Sequence, residues 1–145
     1  MTIQPVYTYK ALVREIHDAD TLTVDWDMGA DIIRANQKLR LYKINAPELY
    51  VMAETPTGLK KTRNDLGFAA RDALVKLLTS NPTTTRTVFG VPSLMLTVPA
   101  PVIMTTVLDK TEKYGRYLAT LFVMQDKVQI NVNEWLQANG FAAAL

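Results

Sequence analysis

Cysteine is absent from this chain of 145 residues, and His17 is its only histidine. Without cysteine the chain can form no disulfide, no thiolate zinc site and no cysteine nucleophile. A single histidine excludes a metal site built from several histidines and argues against a Ser-His pair. Any difficult chemistry must therefore come from carboxylates, Arg, Lys, Tyr or a hard cation.

Long apolar runs and a strong charge of one sign are missing as well. No apolar stretch approaches the ~20 residues of a membrane span, and residues 1–9 lack the pattern of a signal peptide. We therefore expect a cytoplasmic protein with no membrane partner. The 16 basic and 14 acidic residues give a net charge of +2. That charge has the right sign for a nucleic-acid partner but is too small to establish one.

The composition is that of a globular protein, with 48% hydrophobic and 21% charged residues. This balance excludes wholesale disorder, collagen and coiled coil. The length suits one domain over residues 1–145, because a typical domain has ~100–200 residues.

Alternating patterns predict strands in the first half of the chain. They cover residues 7–16, 21–26 and 38–44, with turns at 18–20 and 27–29. In the third strand the alternation presents Arg40 on one face, while Leu39 and Leu41 anchor the other. Residues 50–64 contain Pro56 and Gly58 and predict a loop.

The second half combines helices with further strands. Apolar residues at three- and four-residue spacing predict a helix over 65–78, capped by Asn64 or Asp65. Asn131 with Glu134 predicts a second capped helix over 132–138, and Gly140 suits its end. The other predictions are one or two short edge strands or a long hairpin over 80–101, strands over 102–108 and 117–124, and a polar turn over 109–114. This order predicts an α+β fold with a small closed β-barrel.

Three segments carry residues capable of chemistry, although each alone has an ordinary structural explanation. Asp18 and Asp20 flank a turn, where aspartate is common for conformational reasons. Arg40 lies in a strand and Glu48 follows the strand-ending Pro47, so both suit a solvated surface. Arg116 follows a glycine and is weak evidence by itself.

Taken together and in order, the segments resemble the staphylococcal nuclease-like (thermonuclease) family. The matching stretches are residues 17–24, 39–48, 67–70, 112–119 and 132–142. The resemblance implies a five-stranded OB-type barrel with helices. It also implies Ca²⁺-assisted hydrolysis of phosphodiester bonds in DNA and/or RNA.

The resemblance also implies a calcium site. Asp20 matches the first carboxylate ligand, and the backbone carbonyl of Ala46 matches another ligand. Asn45 stands where the family usually has a second aspartate, and Asp18 matches a carboxylate that orders metal-bound water. Oxygen ligands of this kind suit Ca²⁺, which is a hard cation.

The catalytic roles follow from the same resemblance. Glu48 matches the general base that takes a proton from the attacking water. Arg40 and Arg116 match two arginines whose planar fork can grip two phosphate oxygens at once. Tyr114 matches a substrate-binding tyrosine that can stack on a base.

A tight basic cluster lies close by in the sequence. Lys60, Lys61 and Arg63 fall on the predicted loop beside the site. Contact with a phosphate backbone and a solvated flexible loop are both compatible with this cluster, and we carry both forward.

Two other classes of function stay open from the sequence. One is a catalytically weak or inactive OB-type module that binds nucleic acid. The other is an assembly protein that uses residues 80–101 as a partner surface. The joint presence of Arg40, Glu48 and Arg116 favours the nuclease, because a module that only binds has no need of all three.

Overall fold

The computed structural model describes residues 7–88, 90–111 and 115–145, which form an α+β fold dominated by strands. The two helices of these residues are α1, Asp65–Leu78, and α2, Val132–Ala138. The strands are β1 Thr8–Asp18, β2 Thr21–Gly29, β3 Ile32–Leu41, β4 Ile44–Asn45, β5 Tyr50–Thr55, β6 Gly58–Arg63, β7 Thr83–Val88, β8 Val91–Thr111, β9 Tyr117–Gln125, β10 Val128–Asn131 and β11 Ala143–Ala144. No helix in the described part of the chain has the length and apolar character needed to cross a membrane.

The main sheet has seven strands in the order β10-β9-β3-β2-β1-β8-β7. Because β8 also pairs with β9, the strands β9, β3, β2, β1 and β8 close into a ring. The β3–β9 contact is parallel, whereas the other contacts of the ring are antiparallel. Two small sheets, β4 with β11 and β5 with β6, lie outside the main sheet.

The core explains why the alternating segments form strands. Val13, Val24, Leu39 and Leu121 come from four strands of the ring and are completely buried. Leu74 of α1 belongs to the same cluster of buried side chains. Burial of each such side chain contributes about 1.5–3 kcal/mol, so a register that placed them outside would lose the main driving force for folding.

Both predicted helices are confirmed, with the predicted bounds of 65–78 and 132–138. The Oδ1 atom of Asn131 accepts a hydrogen bond from the backbone N–H of Glu134 at 3.1 Å, as expected for an N-cap. Gly140 has a φ of 78°, a left-handed conformation that glycine adopts at little cost. Asn64, one of the two predicted caps, is the N-cap residue of α1, but its side chain makes no capping hydrogen bond and donates to the carbonyl of Glu48 instead.

Several strand boundaries differ from the predictions. Residues 50–64 are a hairpin, β5–β6, and not a loop. β2 continues through the predicted turn at 27–29, and the chain reverses at Ala30 and Asp31, whose φ angles are 53° and 62°. Within residues 80–101, β7 and the first part of β8 pair as a long hairpin, and β8 continues to Thr111 where a turn was predicted. Of that predicted turn, residues 112–114 lie outside the described part of the chain.

Candidate functional site

Asp20 joins two segments at one end of the ring. It lies in the turn after β1 and is only 6% exposed. Its Oδ2 atom accepts a hydrogen bond from the backbone N–H of Ala46 at 2.9 Å. Its backbone carbonyl accepts from the N–H of Leu41 at 2.8 Å. The turn between β1 and β2 is thereby attached to the segment that follows β3.

The guanidinium of Arg40 lies among oxygen atoms of this same region. Its Nη1 atom is 3.4 Å from Oδ2 of Asp20. Its Nη2 atom donates to Oδ1 of Asn45 at 3.1 Å. Nη1 also donates to the backbone carbonyls of Ile44 at 3.1 Å and Leu41 at 3.4 Å. One cation therefore contacts both side chains that the sequence offers as metal ligands.

Arg116 contacts the residue that follows Asp20. It directly precedes β9, and its Nη1 atom donates to the Thr21 hydroxyl at 3.0 Å. Thr21 in turn donates to Oδ1 of Asp20 at 3.1 Å and pairs with Arg40 between β2 and β3. Two of the three predicted catalytic residues, Arg40 and Arg116, thus contact the Asp20–Thr21 pair.

Asp18 adds a second carboxyl group beside Asp20. Its Oδ1 atom accepts from the backbone N–H of Asp20 at 3.1 Å. Burial, followed by the hydrogen bond and the charge of the Asp20 carboxylate, raises the pKa of Asp18 to about 8. The charge of Glu48 acts in the same direction. Asp18 therefore keeps its proton to a higher pH than an ordinary aspartate, and these three carboxyl groups interact electrostatically.

The backbone of Glu48 is held tightly against α1. Its carbonyl oxygen accepts from Nδ2 of Asn64 at 2.9 Å. A Cβ atom on Gly67 would overlap that same carbonyl, so only glycine lets the helix approach so closely. Glu48 itself is exposed, which leaves its carboxylate accessible to water.

The basic cluster lies on β6 and not on a loop. Lys60, Lys61 and Arg63 are all exposed. Arg63 is opposite Tyr50 and Lys61 is opposite Met52, whereas the partner of Lys60 lies one position further along β5. Since successive side chains of a strand alternate between faces, Lys61 and Arg63 share one face of the hairpin and Lys60 lies on the other.

Aromatic rings anchor that face to α1. The Lys61 ammonium is 5.2 Å from the centre of the Tyr50 ring, and the Arg63 guanidinium is 3.6 Å from that of Phe68. Arg71 contacts the same Phe68 ring at 4.7 Å, and Tyr50 meets Phe68 edge-on at 5.6 Å. Arg71 is buried, and burial lowers its pKa. The sequence does not predict these contacts between cations and aromatic rings. The one signal for them is Tyr50, an aromatic residue two positions after Glu48.

The ligand atoms around Asp20 are of the chemical type that a hard cation binds. Asp20, Asn45 and the Ala46 carbonyl all offer oxygen, which Ca²⁺ prefers. Asn45 brings no charge, however, and Arg40 already supplies a positive one. Within residues 7–88, 90–111 and 115–145 no group of three or more His, Asp or Glu side chains is arranged to hold a metal ion. The last predicted site residue, Tyr114, lies outside the described residues.

This arrangement suits the chemistry of phosphate esters. Two guanidinium groups can stabilise charge on phosphate oxygens, and an exposed carboxylate can accept a proton from water. No protein-family model and no curated protein matches the chain.

His17 lies between two hydroxyl groups. Its Nε2 atom is 3.0 Å from the Thr23 hydroxyl, and its Nδ1 atom is 2.9 Å from that of Ser93. Burial lowers the pKa of His17 below its ordinary value of 6.5, helped by Lys38 and two arginines and opposed by Glu15. The folded protein therefore favours the neutral ring.

We expect acid to destabilise the fold through His17. Its contribution to the free energy of unfolding is present above the unfolded-state pKa and is lost as the pH falls, because the unfolded state binds the proton more readily. Urea unfolding from about pH 8 to about pH 5 should therefore show a larger loss of stability for the wild type than for His17→Gln. If the free energy of unfolding falls equally in the two proteins over this pH range, His17 does not cause the loss of stability in acid.

Proposed function

We propose that this protein is a Ca²⁺-dependent nuclease that hydrolyses phosphodiester bonds in DNA and/or RNA. We further propose that its five-stranded ring is an OB-type barrel of the staphylococcal nuclease-like kind. The observation that carries the proposal is that Arg40 contacts Asp20 while Arg116 donates to the neighbouring Thr21, so that two guanidinium groups meet at one pair of residues. Glu48 is exposed, and its charge contributes to the raised pKa of Asp18. This interaction supports the inclusion of Glu48 in the same site.

In the proposed reaction the arginines stabilise the charge that builds on the phosphoryl oxygens. A guanidinium can donate two parallel hydrogen bonds to a phosphate. Removing one such donor commonly costs about 3–4 kcal/mol of transition-state stabilisation. Arg116, anchored on Thr21, and Arg40, anchored beside Asp20, would therefore each contribute a large share of the rate.

Glu48 takes the proton in this proposal. The water oxygen forms a bond to phosphorus, its proton passes to the Glu48 carboxylate, and the bond between phosphorus and the leaving oxygen breaks. The rigid backbone of Glu48 supports this role, because the contacts with Asn64 and Gly67 fix where the side chain begins. A fixed base is a better catalyst than a mobile one.

Calcium would be held by the oxygens of Asp20, Asn45 and Ala46. When bound, the ion would supply a Lewis acid that polarises a phosphate oxygen. Asp18, with its raised pKa, holds the backbone N–H of Asp20 and so orients that ligand. Calcium sites with few charged ligands fall in the weakest class, with dissociation constants of about 10⁻⁴–10⁻³ M.

A binding module without catalysis is the second candidate. The face of the β5–β6 hairpin that carries Lys61 and Arg63 favours it, since cations held on aromatic rings form a preorganised surface for a polyanion. The assembly function for residues 80–101 stays a prediction. Leu94, Met95, Ala100 and Pro101 pair with β1, and Leu96 and Ala100 are buried, whereas β7 lies at the edge of the main sheet.

A cleavage assay separates the candidates. Supercoiled plasmid and single-stranded DNA and RNA are incubated with the protein in Ca²⁺, in Mg²⁺ and in EDTA. We expect cleavage in Ca²⁺ that EDTA abolishes. Retarded mobility without any cleavage would support the binding module, and the absence of both effects would contradict both candidates.

The basic hairpin provides an independent prediction about binding. Replacing Lys61 and Arg63 together with alanine should weaken nucleic-acid binding and flatten its dependence on salt. If both side chains contact phosphates of duplex DNA, the slope of log K against log salt should fall by about 0.9 for each contact. Binding is measured by fluorescence anisotropy at several salt concentrations.

The matched control is Lys60→Ala, which removes one charge from the opposite face of the same strand. We expect this control to leave the salt slope close to that of the wild type. If the double variant also keeps the wild-type slope, the cluster is a solvated surface and not a nucleic-acid contact.

A further inference from the structure

Arg40 is held by oxygen atoms in the manner of a bound cation. Its guanidinium contacts Oδ2 of Asp20, Oδ1 of Asn45 and the carbonyls of Leu41 and Ile44, at distances between 3.1 and 3.4 Å. Its side chain is only 17% exposed, so these contacts are partly withdrawn from water. The segment from Leu41 to Asn45 curves around the charge, helped by a φ of 61° at Lys43.

These oxygens include both side-chain atoms that a divalent cation would use. Asp20 is the one charged ligand in the proposed set, and Arg40 lies against the Asp20 oxygen that also accepts from Ala46. Asn45 is neutral and already accepts from Arg40. A calcium ion placed among these oxygens would meet the positive charge of Arg40 at close range, with a single carboxylate between the two cations.

We propose that Arg40 and a divalent cation compete for the same oxygen atoms, so that calcium binds only as Arg40 leaves them. A substrate phosphate offers the departing guanidinium a new anionic partner. Calcium and phosphate therefore strengthen each other's binding, and by linkage the effect is equal in both directions. This inference rests on the proposed function for the choice of calcium and phosphate as ligands.

The test is a titration of the protein with calcium chloride, followed by calorimetry in the absence of nucleic acid. We expect weak binding by the wild type and at least about tenfold tighter binding by Arg40→Met, which keeps a long side chain but removes the charge. The matched control is Lys43→Met, which removes a charge from the adjacent turn, where the ammonium lies over the Tyr42 ring. We expect this control to change the affinity by less than about twofold.

Two results would overturn the competition. They are an Arg40→Met variant that binds calcium no more tightly than Lys43→Met, and no calcium binding by any of the proteins. Circular dichroism establishes that each variant is folded. Because the titration involves no cleavage, a chain that binds calcium as expected but cuts nothing would contradict the proposed function alone.

A second measurement uses the unaltered protein, in case Arg40→Met fails to fold. The side-chain Nε–H signal of Arg40 is followed by nuclear magnetic resonance during the same titration and assigned with Arg40→Lys. We expect this signal to shift in proportion to calcium occupancy, since the guanidinium exchanges its oxygen partners for water. A signal that stays fixed while calcium saturates the protein would show that Arg40 does not move, and would overturn the proposal.

Discussion

Arg116→Ala should lower turnover of DNA or RNA by at least ~100-fold while leaving the fold intact. The change removes a charged donor that is anchored on the Thr21 hydroxyl at 3.0 Å, beside Asp20. Thr21 keeps its own hydrogen bond to Asp20, so the turn retains a local support. Arg116→Lys should recover only a small part of the activity, because an ammonium is a point donor and cannot grip two oxygens in one plane.

Steady-state kinetics on a fluorescent oligonucleotide, with thermal unfolding in parallel, measures this effect. The control is Arg14→Ala, which removes an exposed arginine that pairs with Asp25 on the surface of the sheet. We expect the control to keep turnover within about twofold of the wild type, since surface ion pairs contribute little. Wild-type turnover in Arg116→Ala would show that the assigned site is not the catalytic one.

The second large effect is expected for Glu48→Gln. Glutamine keeps the shape and the backbone contacts of Glu48 but cannot accept a proton, so turnover should fall by about 10²–10⁴-fold. Binding of nucleic acid should be almost unchanged, because the loss concerns a step after binding.

Glu54→Gln is the matched control for this prediction. It makes the same substitution at an exposed glutamate of the neighbouring hairpin. Anisotropy gives the binding constant and single-turnover kinetics gives the chemical rate for both variants. A fully active Glu48→Gln would assign proton removal to another group or to solvent.

The helices could be predicted from the sequence because their signals are local. The apolar period of α1 and the Asn131 cap of α2 each involve residues less than two turns apart, and both bounds are confirmed. Strand ends were predicted less well, since β2 and β8 extend through segments with turn-like composition. Pairing with neighbouring strands overrides local preference there.

The hairpin β5–β6 was missed for a related reason. Pro56 and Gly58 favour a loop when taken alone, whereas the structure places Pro56 in the turn and gives Gly58 a φ of 108°. The contacts of Tyr50 and Arg63 with Phe68 of α1 hold the base of the hairpin. Such contacts join distant parts of the chain and leave no periodic pattern in the sequence.

The sequence predicts which residues form the candidate site, but it does not predict the contacts between them. The positions of Asp20, Arg40 and Asn45 follow from the motif, and the structure brings these residues together. The contact of Arg40 with both proposed ligands depends on the turn at Tyr42 and Lys43, which reverses the chain after β3. The alternation over 38–44 predicts one continuous strand, and that prediction is wrong at Tyr42 and Lys43, which form a turn before β4.

The parallel contact between β3 and β9 has a consequence for the newly made chain. Arg40 lies on β3, whereas Arg116 is positioned by β9, and Leu39 pairs with Tyr117 where these strands meet. A ribosome-bound chain from which β9 has not yet emerged therefore carries only one member of the arginine pair. The two arginines of the proposed site can therefore come together only after β9 has joined β3.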